Sequence, residues 1–197
     1  MTLTLLLLIV TVAISMLGFS SEKLLQDLML WPARMQSPTE YYRFLTAGFV
    51  HADYMHLAFN MFSFYFFADF LEREIGPGPL AAIYLLGIIV ACIPSFAKNR
   101  QRPGYASLGA SGGVAAIIFA AIYWAPWEEI RIFFSIPMPS IVFAVLYLIG
   151  TAYMARRGTG NINHDAHLWG AIFGFVAMIA IDPTHGRRFL ELMTRPG

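Results

Sequence analysis

Six apolar runs constrain this chain of 197 residues more than any other feature: 3–19, 55–70, 80–97, 108–124, 136–154 and 166–181. A helix that crosses a bilayer needs about 20 mainly apolar residues, and in hydrocarbon only a helix or a closed barrel satisfies its own backbone. The expected fold is therefore an all-α membrane protein, a bundle of six transmembrane helices forming one domain over residues 1–197. With 58% hydrophobic and 13% charged residues, the composition lies well outside that of ordinary soluble domains. The first run is Leu-rich like a secretion signal, but it lacks a basic leading segment and an A-x-A cleavage site, so it is read as a retained helix.

The same counts exclude several functions. A net charge of +1, with no basic stripe interleaved with aromatics, gives no case for nucleic acid. Cys92 is the single cysteine and lies inside the third run, which leaves disulfides, zinc fingers and a Cys-His nucleophile unsupported.

Among the connections, residues 20–54 form the longest and carry Trp31-Pro32, Ser37-Pro38 and the aromatic patch Tyr41-Tyr42-Arg43-Phe44. That mixture suits a segment lying partly in the membrane interface. It could act as a gate, as a lateral support, or simply as a folded loop. The Gly76-Pro77-Gly78-Pro79 tetrapeptide reads as a tight turn, and residues 98–107 and 155–165, the latter with Gly158-Thr159-Gly160-Asn161, read as polar loops. Basic residues are more numerous in the odd-numbered connections (Lys23, Arg34, Arg43, Lys98, Arg100, Arg102, Arg156, Arg157) than in the even ones and the tail (Arg73, Arg131, Arg187, Arg188, Arg195). Taken alone, the positive-inside rule puts the odd connections in the cytoplasm.

Polar side chains within the runs are costly unless they face a cavity or one another, so each is a candidate for function. His56 and Asn60 are four apart and share a helical face, whereas His51 precedes His56 by five and is expected to point elsewhere. An interhelical hydrogen bond would also account for His56 and Asn60. If the helices alternate in direction, the fourth and sixth run parallel, and Ser111 and His167 then stand at matching depth. Small residues let those two helices touch: Gly109, Ala110, Gly112 and Gly113 on one, Gly170 and Gly174 on the other. Close approach is what a serine nucleophile requires of its base. The glycines before the fourth helix permit a sharp turn into it, and the free N–H groups of its first turn suit an oxyanion. The candidate constellation is nucleophile Ser111, base His167, and an oxyanion hole from the Ser111 N–H, His56 and Asn60. Asp165, two residues before His167, projects to a different face and is not counted as a third member.

On these residues the chain resembles the rhomboid family of intramembrane serine proteases. His51, His56 and Asn60 match its histidine–histidine–asparagine spacing, Gly109 to Gly112 its Gly-x-Ser-Gly, and Ala166-His167 with Gly170 and Gly174 its last conserved pattern; the match runs from about 40 to 182. The resemblance implies a minimal bacterial type with six helices. It implies a multi-pass protein of the inner membrane with a cytoplasmic N-terminus, against the charge count. It further implies a Ser-His dyad that cleaves transmembrane segments of other membrane proteins, with no cofactor and no metal. Tyr42-Arg43 stands where the family has Trp-Arg. Ala115 stands where many members carry an aromatic that stacks on the histidine, and Trp169 or His164 is expected to take over that stacking.

In the reaction so implied, His167 takes the Ser111 proton as the hydroxyl attacks a peptide carbonyl, and water then releases the acyl-enzyme. Helix-breaking residues near the scissile bond should help, because an intact helix hides its peptide bonds. Two other functions fit parts of the sequence. A catalytically inactive rhomboid-like protein would bind membrane clients without cutting them, though it would not need Ser111 and His167 together. A histidine-based metal or haem protein would need ligands that His51 and His56 do not offer from one helical face.

Overall fold

The computed structural model describes residues 1–132, 136–157 and 163–194. The Gly158-to-Asn161 loop and Arg195 lie outside the described residues. Helix α1 (Leu3–Ser20) starts where the Thr2 hydroxyl accepts the Leu5 N–H. The long connection contains α2 (Glu22–Leu28), a 3-10 turn (Pro38–Glu40), α3 (Arg43–Thr46) and a second 3-10 turn (Ala47–Phe49). Asp53 caps α4 (Tyr54–Ile75) by accepting the His56 N–H at 2.7 Å. Gly76, at φ +83°, turns the chain straight into α5 (Pro77–Asn99), whose first residue is the proline that such a start favours. Then follow α6 (Ser111–Trp124), strands β1 (Glu129–Ile132) and β2 (Ile136–Pro139), α7 (Ser140–Arg157), α8 (His164–Ile181) and the short α9 (His185–Thr194).

Each apolar run supplies the body of a helix, and the all-α membrane class holds. Two of the starts move inward. The fifth helix starts at Ser140 rather than 136, because Pro137 and Pro139 cannot sit in a helix interior, and Ile136–Pro139 pairs antiparallel with Glu129–Ile132 instead. The fourth begins at Ser111 itself, so Leu108 to Ala110 belong to the approach loop. Helices α1, α5, α7 and α8 are long and apolar enough to cross a membrane. Helix α4 has 22 residues but ends in Glu72, Arg73 and Glu74, and α6 has only 14.

Helix α6 is the centre of the bundle: every residue from Gly112 to Tyr123 is buried. It packs against α8 and α5 above all, then α4, while α1 leans on α4 and α7 on α8. A helix apolar on all sides is one surrounded on all sides. Glu72 accepts the backbone N–H groups of Leu3 and Thr4 at 2.9 Å each and the Thr4 hydroxyl at 2.6 Å. A carboxylate on free donors at a helix N-terminus ties the last turn of α4 to the first turn of α1.

Candidate active site

The contact between α6 and α8 is backbone on backbone. A Cβ on Gly170 would run into the carbonyl oxygen of Gly112, and one on Gly174 into that of Ala116. Four residues separate the members of each pair, so the two helices stay in register over a full turn. On the other flank of α6, a Cβ on Gly112 would collide with Ala91, and one on Gly87 would stand 2.6 Å from the Ala116 Cβ, both across from α5. Ser111 immediately precedes Gly112 and His167 is one turn before Gly170, so these side chains stand at the same end of two helices in contact. Among the described residues no hydrogen bond joins Ser111 to His167.

The loop that delivers Ser111 is pinned at successive residues by the long first connection. Ser107 exchanges two backbone hydrogen bonds of 2.9 Å with Leu30, and the Gly109 N–H donates to the Ala47 carbonyl at 2.8 Å. Next, the Ala110 N–H donates to His51 Nε2 at 3.2 Å. Because Nε2 accepts, Nδ1 carries the proton and donates to the Ser15 hydroxyl at 2.9 Å, which donates in turn to the Phe49 carbonyl at 2.9 Å. Of the three roles open to residues 20–54, lateral support describes these contacts. The connection holds itself together around Arg43, 5% exposed, whose guanidinium pairs with Glu40 at 2.6 Å and donates to the carbonyls of Gln26 and Met29.

His51 thus differs from its expected position. It does not point away from His56; lying before the helix rather than on it, it meets the His56 ring edge-on with centroids 5.0 Å apart. Burial, with His56 beside it, pushes the His51 imidazolium down to about 3, against the pull of Asp53. A folded pKa below the unfolded value of about 6.5 means that folding is fully supported above pH 6.5 and loses that support as pH falls from there toward 3. The native protein in detergent should therefore melt at lower temperature as pH drops from 7 to 5, with His51 contributing at most about 1.36 kcal/mol per pH unit. His51→Gln, whose amide oxygen can replace Nε2 as acceptor, should flatten the slope of melting temperature against pH; an unchanged slope would assign the effect to other groups.

His56 is brought to the same locality. Gly109, at φ +118°, has the His56 ring against it: a Cβ there would stand 2.6 Å from His56 Cε1 and 2.8 Å from Nε2. The glycine is thus required twice, for its backbone conformation and for the ring. Asn60, 7% exposed, donates one amide hydrogen to the His56 carbonyl at 2.8 Å and keeps a second.

The surroundings of His167 correct one expectation. Trp169 is 44% exposed on the outside of α8 and does not stack on His167. His164 meets it only edge-on, at 6.1 Å and 77°. The ring that lies nearly parallel to His167 is Tyr147 of α7, at 21° with centroids 6.4 Å apart. Nothing local in the sequence pointed to Tyr147, because its partner is 20 residues away on another helix; the signal available was a tyrosine within an apolar run. Asp165 pairs with Lys98 at 3.0 Å.

A helical membrane bundle whose buried central helix starts at a serine, with His51 and His56 on the approach to that start and His167 at the same end of the adjoining helix, defines a polytopic membrane protein with polar side chains inside its apolar core. The chain belongs to the rhomboid family: the Rhomboid domain model matches residues 38–183. It is 32% identical over 156 residues to the RHOMBOID-like protein 12, mitochondrial, of Arabidopsis thaliana, covering 70% of this chain and 45% of that protein. With the rhomboid protease GlpG of Haemophilus influenzae it shares 25% identity over 162 residues, covering 81% of this chain and 79% of the relative. It is also 27% identical over 143 residues, 72% of its length, to inactive rhomboid protein 1 of Drosophila melanogaster, of which it covers 9%. The chain spans about half the length of the plant relatives it matches.

Proposed function

We propose that this protein is an intramembrane serine endopeptidase in which Ser111 attacks and His167 is the base, with the Ser111 N–H, His56 and Asn60 receiving the oxyanion. The observation that carries the reading is the backbone contact of Gly170 with Gly112, which holds the helix starts bearing His167 and Ser111 side by side. In the reaction, His167 accepts the hydroxyl proton as Ser111 Oγ bonds to the peptide carbonyl, then returns it to the departing amine; a water repeats the cycle to free the acyl group. At about 1.5 Å per residue, the 14 residues of α6 span about 21 Å of a hydrocarbon core about 30 Å thick. A helix that short would leave room at one end for the water that hydrolysis needs. Substrates would be transmembrane segments of other proteins, and the cell membrane of a bacterium is the setting we favour. That GlpG of Haemophilus influenzae is named a rhomboid protease supports the proteolytic reading.

A second reading, a rhomboid-like binder without activity, draws on the similarity to the inactive Drosophila protein. A fluorescent fluorophosphonate separates the two. Labelling of the detergent-solubilised protein is expected; a folded protein that takes no label would favour the binder.

We assign the orienting of His167 to Tyr147, in the absence of an aromatic at Ala115. Tyr147→Phe keeps the ring and should label at nearly the native rate. Tyr147→Ala should label roughly 3- to 10-fold more slowly, the worth of one ring–ring contact. Equal rates for native protein and Tyr147→Ala would remove Tyr147 from the site.

A further inference from the structure

We propose that Asn163 is a positioning residue that couples the helix of His167 to the loop of Ser111, a role that rests on the dyad proposed above. Asn163 is the N-cap of α8, four residues before His167. Its Oδ1 accepts the Ala166 N–H at 3.1 Å and the Ser95 hydroxyl of α5 at 3.0 Å. Since a backbone N–H can only donate, the oxygen of the amide faces Ala166, and the NH₂ must face the other way. There it donates to the Ser107 hydroxyl at 2.9 Å. Ser107 lies four residues before Ser111, as Asn163 lies four before His167.

One side chain therefore fixes three segments at once: the end of α5, the start of α8 and the loop into α6. The backbone of Ser107 is already held to Leu30, and the following Gly109 and Ala110 to Ala47 and His51. Among these ties of the loop, that to Asn163 is the one that reaches α8. The glycine contacts between α6 and α8 set how closely the helices approach. The amide clamp sets the relation of the two segments that precede them, where Ser111 and His167 lie. A displacement of about 1 Å between nucleophile and base is enough to cost roughly 100-fold in rate, so a hydrogen bond at this position can matter to chemistry while adding little to stability.

Capping and coupling are separable by substitution. Ser is as good an N-cap as Asn, so Asn163→Ser keeps the start of α8 but is too short to reach Ser107. Ser107→Ala removes the acceptor and leaves the cap intact. Asn163→Asp retains both, because the Ser107 hydroxyl can donate to a carboxylate. With the full chain in detergent and a fluorophosphonate as probe, Asn163→Ser and Ser107→Ala are each expected to lower the limiting labelling rate roughly 10-fold. The probe concentration at half-maximal rate should stay unchanged in both, and the melting temperature in Ser107→Ala, whereas Asn163→Ser also unpairs the buried Ser95 hydroxyl. The double substitution should be no worse than Asn163→Ser alone, and Asn163→Asp should remain near native. A native rate in Ser107→Ala overturns the coupling, and so does a double variant whose losses multiply. If the native protein takes no label, the dyad fails rather than the clamp, and hydrogen–deuterium exchange decides the clamp alone. Ser107→Ala must then raise exchange across 163–168 as well as 105–111; protection unchanged at 163–168 overturns it.

Discussion

Replacing Ser111 by Ala is expected to abolish fluorophosphonate labelling and to lower cleavage of a transmembrane substrate by at least about 10³-fold, the order seen when the nucleophile of a serine hydrolase is removed. His167→Ala should do nearly as much. The double substitution should be little worse than either, because two groups serving one proton transfer fail together. Both single variants should melt as the native protein does: among the described residues the Ser111 side chain makes no hydrogen bond, and the His167 side chain makes only ring contacts. Loss of activity with retained folding distinguishes a nucleophile from a buried packing serine. Retained cleavage in Ser111→Ala would refute the dyad outright.

The second large effect concerns glycines. Gly174→Val is expected to prevent the native bundle from assembling, since its Cβ alone would occupy the position of the Ala116 carbonyl oxygen, and backbone cannot rotate away as a side chain can. Overpacking a well-filled core costs about 1–3 kcal/mol when side chains can yield, and here the obstacle is the central helix. Gly170→Val should behave likewise against Gly112, and will also separate Ser111 from His167. Gly150 is the control: it lies in α7, and a Cβ there meets nothing within 4 Å. Gly150→Ala should fold normally and gain slightly in helix propensity. Melting in detergent and resistance to proteolysis would report the contrast. A Gly174→Val protein with native stability would mean that the α6–α8 contact does not hold the bundle together.

What the sequence made legible follows from where each signal resides. Periodic small residues such as Gly170 and Gly174, and costly polar residues such as His56 and Asn60, announce themselves because lipid offers few other uses for them. The helix ends were less visible. Ser111 as the first helical residue of α6 depends on the turn at Gly109, and the start of α7 at Ser140 depends on two prolines. Helix α9 was not expected, being too short and charged for a span. The tie of His51 to Ala110 and the parts played by Tyr147 and Asn163 escaped for a shared reason. Each works through a partner on a different segment, Ala110, His167 or Ser107, and no local spacing encodes an encounter between residues 20 to 59 positions apart.

The shortness and complete burial of α6 also bear on how the protein is made. Fourteen residues are too few to hold a stable position across a bilayer alone, however apolar they are. During synthesis, α6 must therefore be retained in the membrane by α5, which leaves the ribosome before it, and can settle only when α8 arrives with the glycines that receive it. The helix that begins at Ser111 thus completes its packing late, and a chain interrupted before Gly174 has its serine in the membrane but no finished core around it.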